Sequence, residues 1–403
     1  MVQPHRLERN INLYYLGEFA SALYFIIPVW VAFERQYLTF TQMSLIDGIR
    51  QLVVLVSQLP TGAFADIFGR RVSIVIGNII NMIGLFAMAF ATTGTAIAAA
   101  LITRGIGDGF VSGADTALLY DSLKEMGREH EFTKIRGRGV LVNQLGIIIG
   151  SVFAGYMYAY WKGLPFVAFG ICVLISAGFF ALMKEPILDS ERFTMRSYGQ
   201  RMKRGFGELF KSRYITYLSA FYVLVGGITW SWQLYFNQIY ASDIGYNEIA
   251  KGWLFAVIRF VNAVLIVRML HLERFISKGR VFIFFPSVML ISSLFTLIPS
   301  TPVGTFLLFT MTLASTLRFV LLDSYVNEFF VSKYRATALS ALNLLVGVVY
   351  TILVIVSGPI LDTFTSRVVY VGMGGIIIVA IIPLALLLRK HKPVTVAIEI
   401  TNA

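Results

Sequence analysis

Apolar runs of about twenty residues recur twelve times along this 403-residue chain, and a helix of that length matches the hydrocarbon thickness of a bilayer. The runs fall at 11–33, 41–63, 72–93, 96–120, 139–160 and 165–183, then at 215–239, 248–270, 281–299, 303–325, 337–358 and 368–388. Only 14% of residues are charged, against about a quarter in soluble domains. In lipid every backbone N–H and C=O must be satisfied within the protein, so runs of this kind are helices. The expected fold is all-α and integral to the membrane, with twelve transmembrane helices in two pseudo-symmetric six-helix bundles. The first apolar stretch, entered directly from the polar segment 1–10, reads as a retained span rather than a signal peptide.

The loops between the runs alternate in charge. Of the 34 Lys and Arg, 26 lie on one side and four (Arg35, Lys162, Lys251, Arg367) on the other, while Arg50, Arg104, Arg259 and Arg318 fall inside runs. Basic loops stay cytoplasmic, which puts both termini inside and the protein in the cell membrane. This distribution also accounts for the net charge of +12 without nucleic acid as a partner. The one long polar segment, 184–213, alternates basic residues with Met202, Phe206, Leu209 and Phe210. It reads as an amphipathic helix on the cytoplasmic membrane surface, or else as a charged tether, between an N-terminal bundle (1–183) and a C-terminal bundle (214–403).

The halves echo each other. Leu118-Leu119-Tyr120-Asp121 closes the fourth run and Leu321-Leu322-Asp323 the tenth; each is followed by a basic loop and a run carrying Asn143 or Asn343. A parallel duplication is a known architecture of membrane transporters. The loop after the second run reads Gly62-Ala63-Phe64-Ala65-Asp66-Ile67-Phe68-Gly69-Arg70-Arg71. It resembles the G-x-L-A-D-R-x-G-R-R loop of the major facilitator superfamily, with Phe64 and Ile67 departing from the pattern. The resemblance extends to the twelve runs and the central linker. It implies a secondary transporter, similar to drug/proton antiporters, that rocks two bundles around a midplane site without a cofactor. The loop has its own physical reading. Gly62 and Gly69 permit close approach and a tight turn, and Asp66 can accept from a neighbouring helix N-terminus. Arg70 and Arg71 can pair with Asp121, forming a cytoplasmic latch; the alternative is that the arginines only orient the loop.

Ionisable residues at membrane depth each cost roughly 2.5 kcal/mol or more, so they face a cavity or a partner. Arg104, Asp108, Ser112 and Asp115 share one face of the fourth run, with Arg104 and Asp108 spaced as an i,i+4 pair. Arg104 also loosely resembles the family's R-x-x-x-G arginine, which the family links to proton coupling. Glu18 has no opposite charge within four residues, and a lone carboxylate in that setting can bind and release a proton. Glu18, Arg104, Asp108 and Asp115 are therefore the expected coupling residues, with a permanent Glu18–Arg104 pair as the structural alternative. Asp47 and Arg50 are expected to pair near the outer end of the second run. Tyr15, Asn143, Gln144, Trp230, Gln233 and Asn237 are candidates for a solute cavity, the seventh-run aromatics otherwise forming an interfacial belt. Arg259 and Arg318 either bind an anionic group or are balanced by carboxylates elsewhere. Gly146, Gly150 and Gly155 on the fifth run suit close packing, and the G-P-x-x-G-G pattern of antiporters is not present there.

Enzymatic chemistry finds no foothold. The four histidines, His5, His130, His271 and His391, lie outside the runs, the single cysteine is Cys172, and there is no metal-ligand motif or P-loop. The expected partners are a small solute, protons and the bilayer, in a monomer. Proton-coupled movement of a small organic solute, outward, is the reading favoured here; uptake of a nutrient or organic anion is the alternative.

Overall fold

A computed structural model of the protein describes residues 4–186, 195–269, 280–327, 329–330 and 335–390. Outside these lie Arg192, the loop with Arg274 and Lys278, Lys333, Lys392, His271 and His391.

Each apolar run is mostly helical over its described residues, which contain no strand. Among the described residues, five helices are long and apolar enough to cross a bilayer unaided: Arg70–Ala89, Glu129–Tyr160, Leu164–Ala181, Thr337–Thr363 and Ser366–Lys390. The others are shorter, charged or interrupted, and the interruptions have local causes. The first span is Pro4–Ala22 and Trp30–Glu34, broken ahead of Pro28, whose ring clashes with the carbonyl four residues back and which has no N–H to donate. The second, Phe40–Phe68, bends by 41° next to Pro60. The fourth is split into Gly94–Val111 and Ala114–Glu125 by Gly113, at φ +78°, a left-handed conformation that glycine adopts without steric cost. The seventh, tenth and twelfth each contain one π-helical turn, at Trp232–Phe236, Arg318–Leu322 and Ile377–Ile381. Such turns often mark functional positions. A further helix, Met195–Leu209, covers part of the polar linker.

Contacts group the chain into two units. One comprises Met1–Ser197, Gly245–Phe260 and Val354–Asp362; the other holds the remainder. In the first, the third span packs on the fourth and sixth, and the first span on the sixth. In the second, the ninth packs on the tenth and twelfth, and the seventh on the twelfth. The same neighbours recur six spans on, so the duplication expected from short sequence echoes is a duplication of packing.

Glycines set the closest approaches. Gly77 and Gly107 cross backbone to backbone: a Cβ on Gly77 would lie 2.8 Å from the Gly107 carbonyl, and one on Gly107 2.7 Å from the Gly77 carbonyl. Gly146 and Gly150 lie against Phe19–Tyr24, where the first span breaks. At Gly62, by contrast, a Cβ would meet nothing within 4 Å, so the close approach expected there is not made. Gly107→Val is accordingly expected to destabilise the protein by about 1–3 kcal/mol through overpacking against backbone that cannot yield. Gly62→Ala should leave stability within about 0.5 kcal/mol. Detergent-solubilised thermal unfolding of the two variants checks both.

Two contacts tie spans together at the ends away from the basic loops. Asp362 accepts hydrogen bonds from the Phe40 N–H (2.7 Å), the Thr41 N–H (2.9 Å) and the Thr41 hydroxyl (2.6 Å), with Arg35 at 3.7 Å. It thereby caps the second span from the end of the eleventh, in addition to the capping box made by Thr39 and Gln42. Gly155 meanwhile receives the backbone of Ile249, and the Trp253 indole N–H donates to the Tyr156 hydroxyl (3.1 Å). Lys251, expected in a loop, is instead fully buried in the helix Glu248–Met269, 3.2 Å from Glu248.

Candidate functional site

The first unit contains a cavity of about 380 Å³. Its wall includes Ser21 and Tyr24 of the first span, Asn78 and Asn81 of the third, Arg104 and Asp108 of the fourth, Asp115 just past the Gly113 break, Arg136 of the fifth and Phe169 of the sixth. Two guanidiniums and two carboxylates thus line one small space.

Arg104 is 8% exposed and donates to the Tyr24 hydroxyl at 2.9 Å, with Phe169 also 6.0 Å from its guanidinium carbon. Gly84 makes room for it: a Cβ there would lie 2.6 Å from the Arg104 stem. Tyr24 sits where the first span is unwound, so the break carries the arginine's partner. Asp108 turns away from Arg104 and toward Arg50, 3.4 Å distant, and Arg50 also holds Asp47 at 3.1 Å. The expected i,i+4 pair is therefore not formed, because Arg50 and Tyr24 offer each residue a partner on another helix. The Asp47–Arg50 pair is present. The expectation of one continuous helical face from Arg104 to Asp115 also fails, since Gly113 ends the helix.

Glu18, 9% exposed, lies on the next turn of the first span from Tyr14. The Asn143 amide donates to Glu18 Oε2 at 3.4 Å, and Asp115 and Arg136 are its charged neighbours. Arg136 donates to the Tyr14 hydroxyl at 2.5 Å and lies 3.9 Å from Asp115. Among the described residues no ion pair joins Glu18 to Arg104; the guanidinium of this cluster is Arg136, whose ion pair is with Asp115. In the sequence Arg136 looked like one more basic loop residue. It belongs to the helix Phe132–Tyr160, and its spacing of seven from Asn143, two turns on one face, was the available signal. Asn78 and Asn81, 5% and 8% exposed, also line the cavity, and amides three apart within an apolar run are the comparable sequence signal for them.

At the basic-loop end, Arg70 forms an ion pair with Asp121. Asp66 lies within electrostatic reach of both. The helix N-terminus that begins at Arg70 is capped by Glu185, not Asp66. Glu185 accepts from the Arg70 N–H (2.6 Å) and the Arg71 N–H (2.9 Å). The Arg71 guanidinium donates to the Met183 carbonyl (3.1 Å) rather than to Asp121. Gly69, at φ +99°, permits this: a Cβ there would lie 2.9 Å from the Glu185 carboxyl carbon. Gly69→Ala should therefore lose the Glu185 cap as well as strain the turn, at a cost of about 1–3 kcal/mol, readable by thermal unfolding.

The second unit has a related cluster. The Tyr222 hydroxyl of the seventh span lies 2.7 Å from Asp323 and 3.3 Å from Asn343. Arg318, fully buried in the π-helical turn, stacks 5.4 Å from the Tyr222 ring. In both units the fourth span of the half is irregular just before its acid, Asp115 or Asp323, and the acid's cluster includes an asparagine of the next span. Of the other cavity candidates, Asn237 accepts from the Tyr370 hydroxyl (3.0 Å), and Trp230 makes an edge contact with Tyr350. The Tyr15 hydroxyl donates to the Ile135 carbonyl (3.3 Å). Gln144, Gln233 and Arg259 are half-buried. Tyr15, Asn143 and Gln144 do not line the cavity of the first unit.

Broken spans, duplicated packing and ionisable clusters at membrane depth define a helical integral-membrane carrier. The sequence pattern of the Major Facilitator Superfamily matches residues 13–348, and the chain belongs to that family. It is a secondary transporter and not an enzyme. It is 22% identical over 369 residues, 88% of this chain and 90% of the relative, to the uncharacterized MFS-type transporter YxaM of Bacillus subtilis (strain 168). Among solved structures it resembles the nucleoside transporter NupG, with a TM-score of 0.77 at 14% identity, covering 95% of this chain and 99% of that one. It also resembles a D-xylose-proton symporter, with a TM-score of 0.68 at 14% identity over 97% and 98% of the two chains. These likenesses concern the fold.

Proposed function

We propose that the protein moves a small organic solute by alternating access and couples that movement to protons. The observation that carries this reading is the cluster of Glu18, Asp115, Arg136 and Asn143 beside the first-unit cavity. Two carboxyls facing one guanidinium carry a net negative charge when both are ionised. At membrane depth that charge is disfavoured, so one proton is held and can be exchanged. A carrier needs such a group, whose protonation changes the charge balance between helices that move. Arg104, with its Nε–H lacking a partner among the described residues, supplies a donor to the solute. The Tyr222–Asp323–Asn343 cluster, with Arg318, is the proposed solute contact in the second half.

In this reading the basic loops are cytoplasmic, and two six-helix halves, 1–183 and 214–403, are joined by the linker 184–213. The Arg70–Asp121 pair with Asp66 forms the cytoplasmic latch, and Asp362 is its counterpart outside. Outward movement is the proposed direction.

Proteoliposomes tested with a panel of nucleosides, pentoses and amines, with and without a pH gradient, decide the reading. Saturable flux that follows the gradient supports it, and its sign fixes the direction. Saturable flux indifferent to pH would leave a carrier without proton coupling. In a Cys172→Ser background, Asp121→Asn should raise labelling of a cysteine placed at the buried Ser122 by a membrane-impermeant reagent; unchanged labelling would remove the latch.

A further inference from the structure

Glu34 ends the first span on the side away from the basic loops. Its exposure is 4%, yet among the described residues no hydrogen bond or ion pair reaches its carboxyl. The charged groups within its electrostatic reach are Asp47 and Arg50 of the second span and Arg104 of the fourth. Each is already engaged. Arg50 is shared between Asp47 (3.1 Å) and Asp108 (3.4 Å), and Arg104 is bonded to Tyr24. On its own stretch, Arg35 turns elsewhere, to the Leu38 carbonyl, Asp362 and the Phe40 ring. The sixth span offers the neighbouring Phe33 only an aromatic face, Phe166.

The charge count of this group is uneven. Among the described residues, three carboxyls, Glu34, Asp47 and Asp108, meet two guanidiniums, Arg50 and Arg104. A buried charge without a partner is strongly disfavoured, and a carboxyl escapes that penalty by holding a proton. Asp47 and Asp108 have a guanidinium within 3.4 Å, whereas Glu34 has none and is the most buried of the three. The group around Glu18 has the same excess of one acid over its bases. The first half therefore contains two such groups, one around Glu34 at the end of the first span and one around Glu18 further back along it.

We propose that Glu34 is a second proton-binding residue of this carrier, held apart from the Glu18 site by the Arg104–Tyr24 contact. Its role in coupling rests on the proton-coupled reading above, but its proton occupancy does not. Protons from the side away from the basic loops would reach Glu34 first, and a change in the Arg50–Asp108 pairing would then alter the charge balance at Arg104. Sequence alone hid this residue, because it sits where a span ends and resembles an ordinary loop carboxylate.

Infrared difference spectra of the full-length protein in liposomes, recorded across a pH step, read the C=O stretch of protonated carboxyls directly and need no solute. The wild type is expected to show two titrating bands, with Glu34→Gln removing one and Glu18→Gln the other. Glu34→Asp, the conservative variant, should keep a band but shift its frequency. A Glu34→Gln spectrum identical to wild type, or an unshifted band in Glu34→Asp, overturns the proposal. If Glu18→Gln alone is silent, the coupling assignment fails while the Glu34 site stands.

Discussion

Glu18→Gln is expected to reduce pH-driven solute flux to the background of protein-free liposomes while solute binding is retained. The glutamine keeps the volume and the Asn143 contact but cannot exchange a proton. The cluster then has a fixed charge, with Asp115 and Arg136 paired permanently at 3.9 Å or closer. A site whose charge no longer changes cannot make conformational exchange depend on the proton gradient. Solute exchange between equal concentrations on both sides should survive, since it needs no net proton movement. Arg136→Gln should have a related but distinct effect, leaving two facing carboxyls without a cation and weakening the Tyr14 contact. Full coupling in Glu18→Gln would remove Glu18 from the mechanism and leave Asp115 as the next candidate.

Asp362→Asn is expected to loosen the end of the eleventh span from the second. The carboxylate receives three hydrogen bonds, two of them from N–H groups of a helix N-terminus whose partial positive charge favours an anion. Hydrogen bonds to charged groups contribute about 1.5–3 kcal/mol each, and the partial exposure of Asp362 argues for the lower end. A loss of about 1.4 kcal/mol is a tenfold change in an equilibrium, so opening at this end should rise by about tenfold. A cysteine at Ser44, now 1% exposed, in a Cys172→Ser background should react correspondingly faster with an impermeant thiol reagent. Unchanged reactivity would show that the cap does not hold this end closed.

Hydropathy made the spans legible because bilayer thickness imposes one length on every crossing, a constraint that can be read along the sequence. Glu18, Arg104 and Arg318 stood out for the same reason: a charge in an apolar run needs an explanation wherever its partner is. The partners themselves were not legible. Arg104 and Asp108 have ideal helical spacing, yet each finds a better partner on another helix. Only the crossing of the third and fourth spans at Gly77 and Gly107, and the unwinding before Pro28, bring Tyr24 to Arg104. Glu185 and Asp362 sit at the ends of apolar runs, where a carboxylate attracts no notice. Their role as caps depends on which helix N-terminus lies opposite. Gly69 was recognised as a turn residue, but the carboxylate it admits could not have been inferred from the loop alone.

The central claim is that protons and solute move together. It is tested most directly by proteoliposomes loaded with a pH-sensitive dye and given a transported solute from the panel with no imposed pH gradient. The account predicts that adding solute to one side changes the internal pH, that a protonophore abolishes the change, and that Glu18→Gln does not show it. Solute movement at the wild-type rate with no change in internal pH would contradict it.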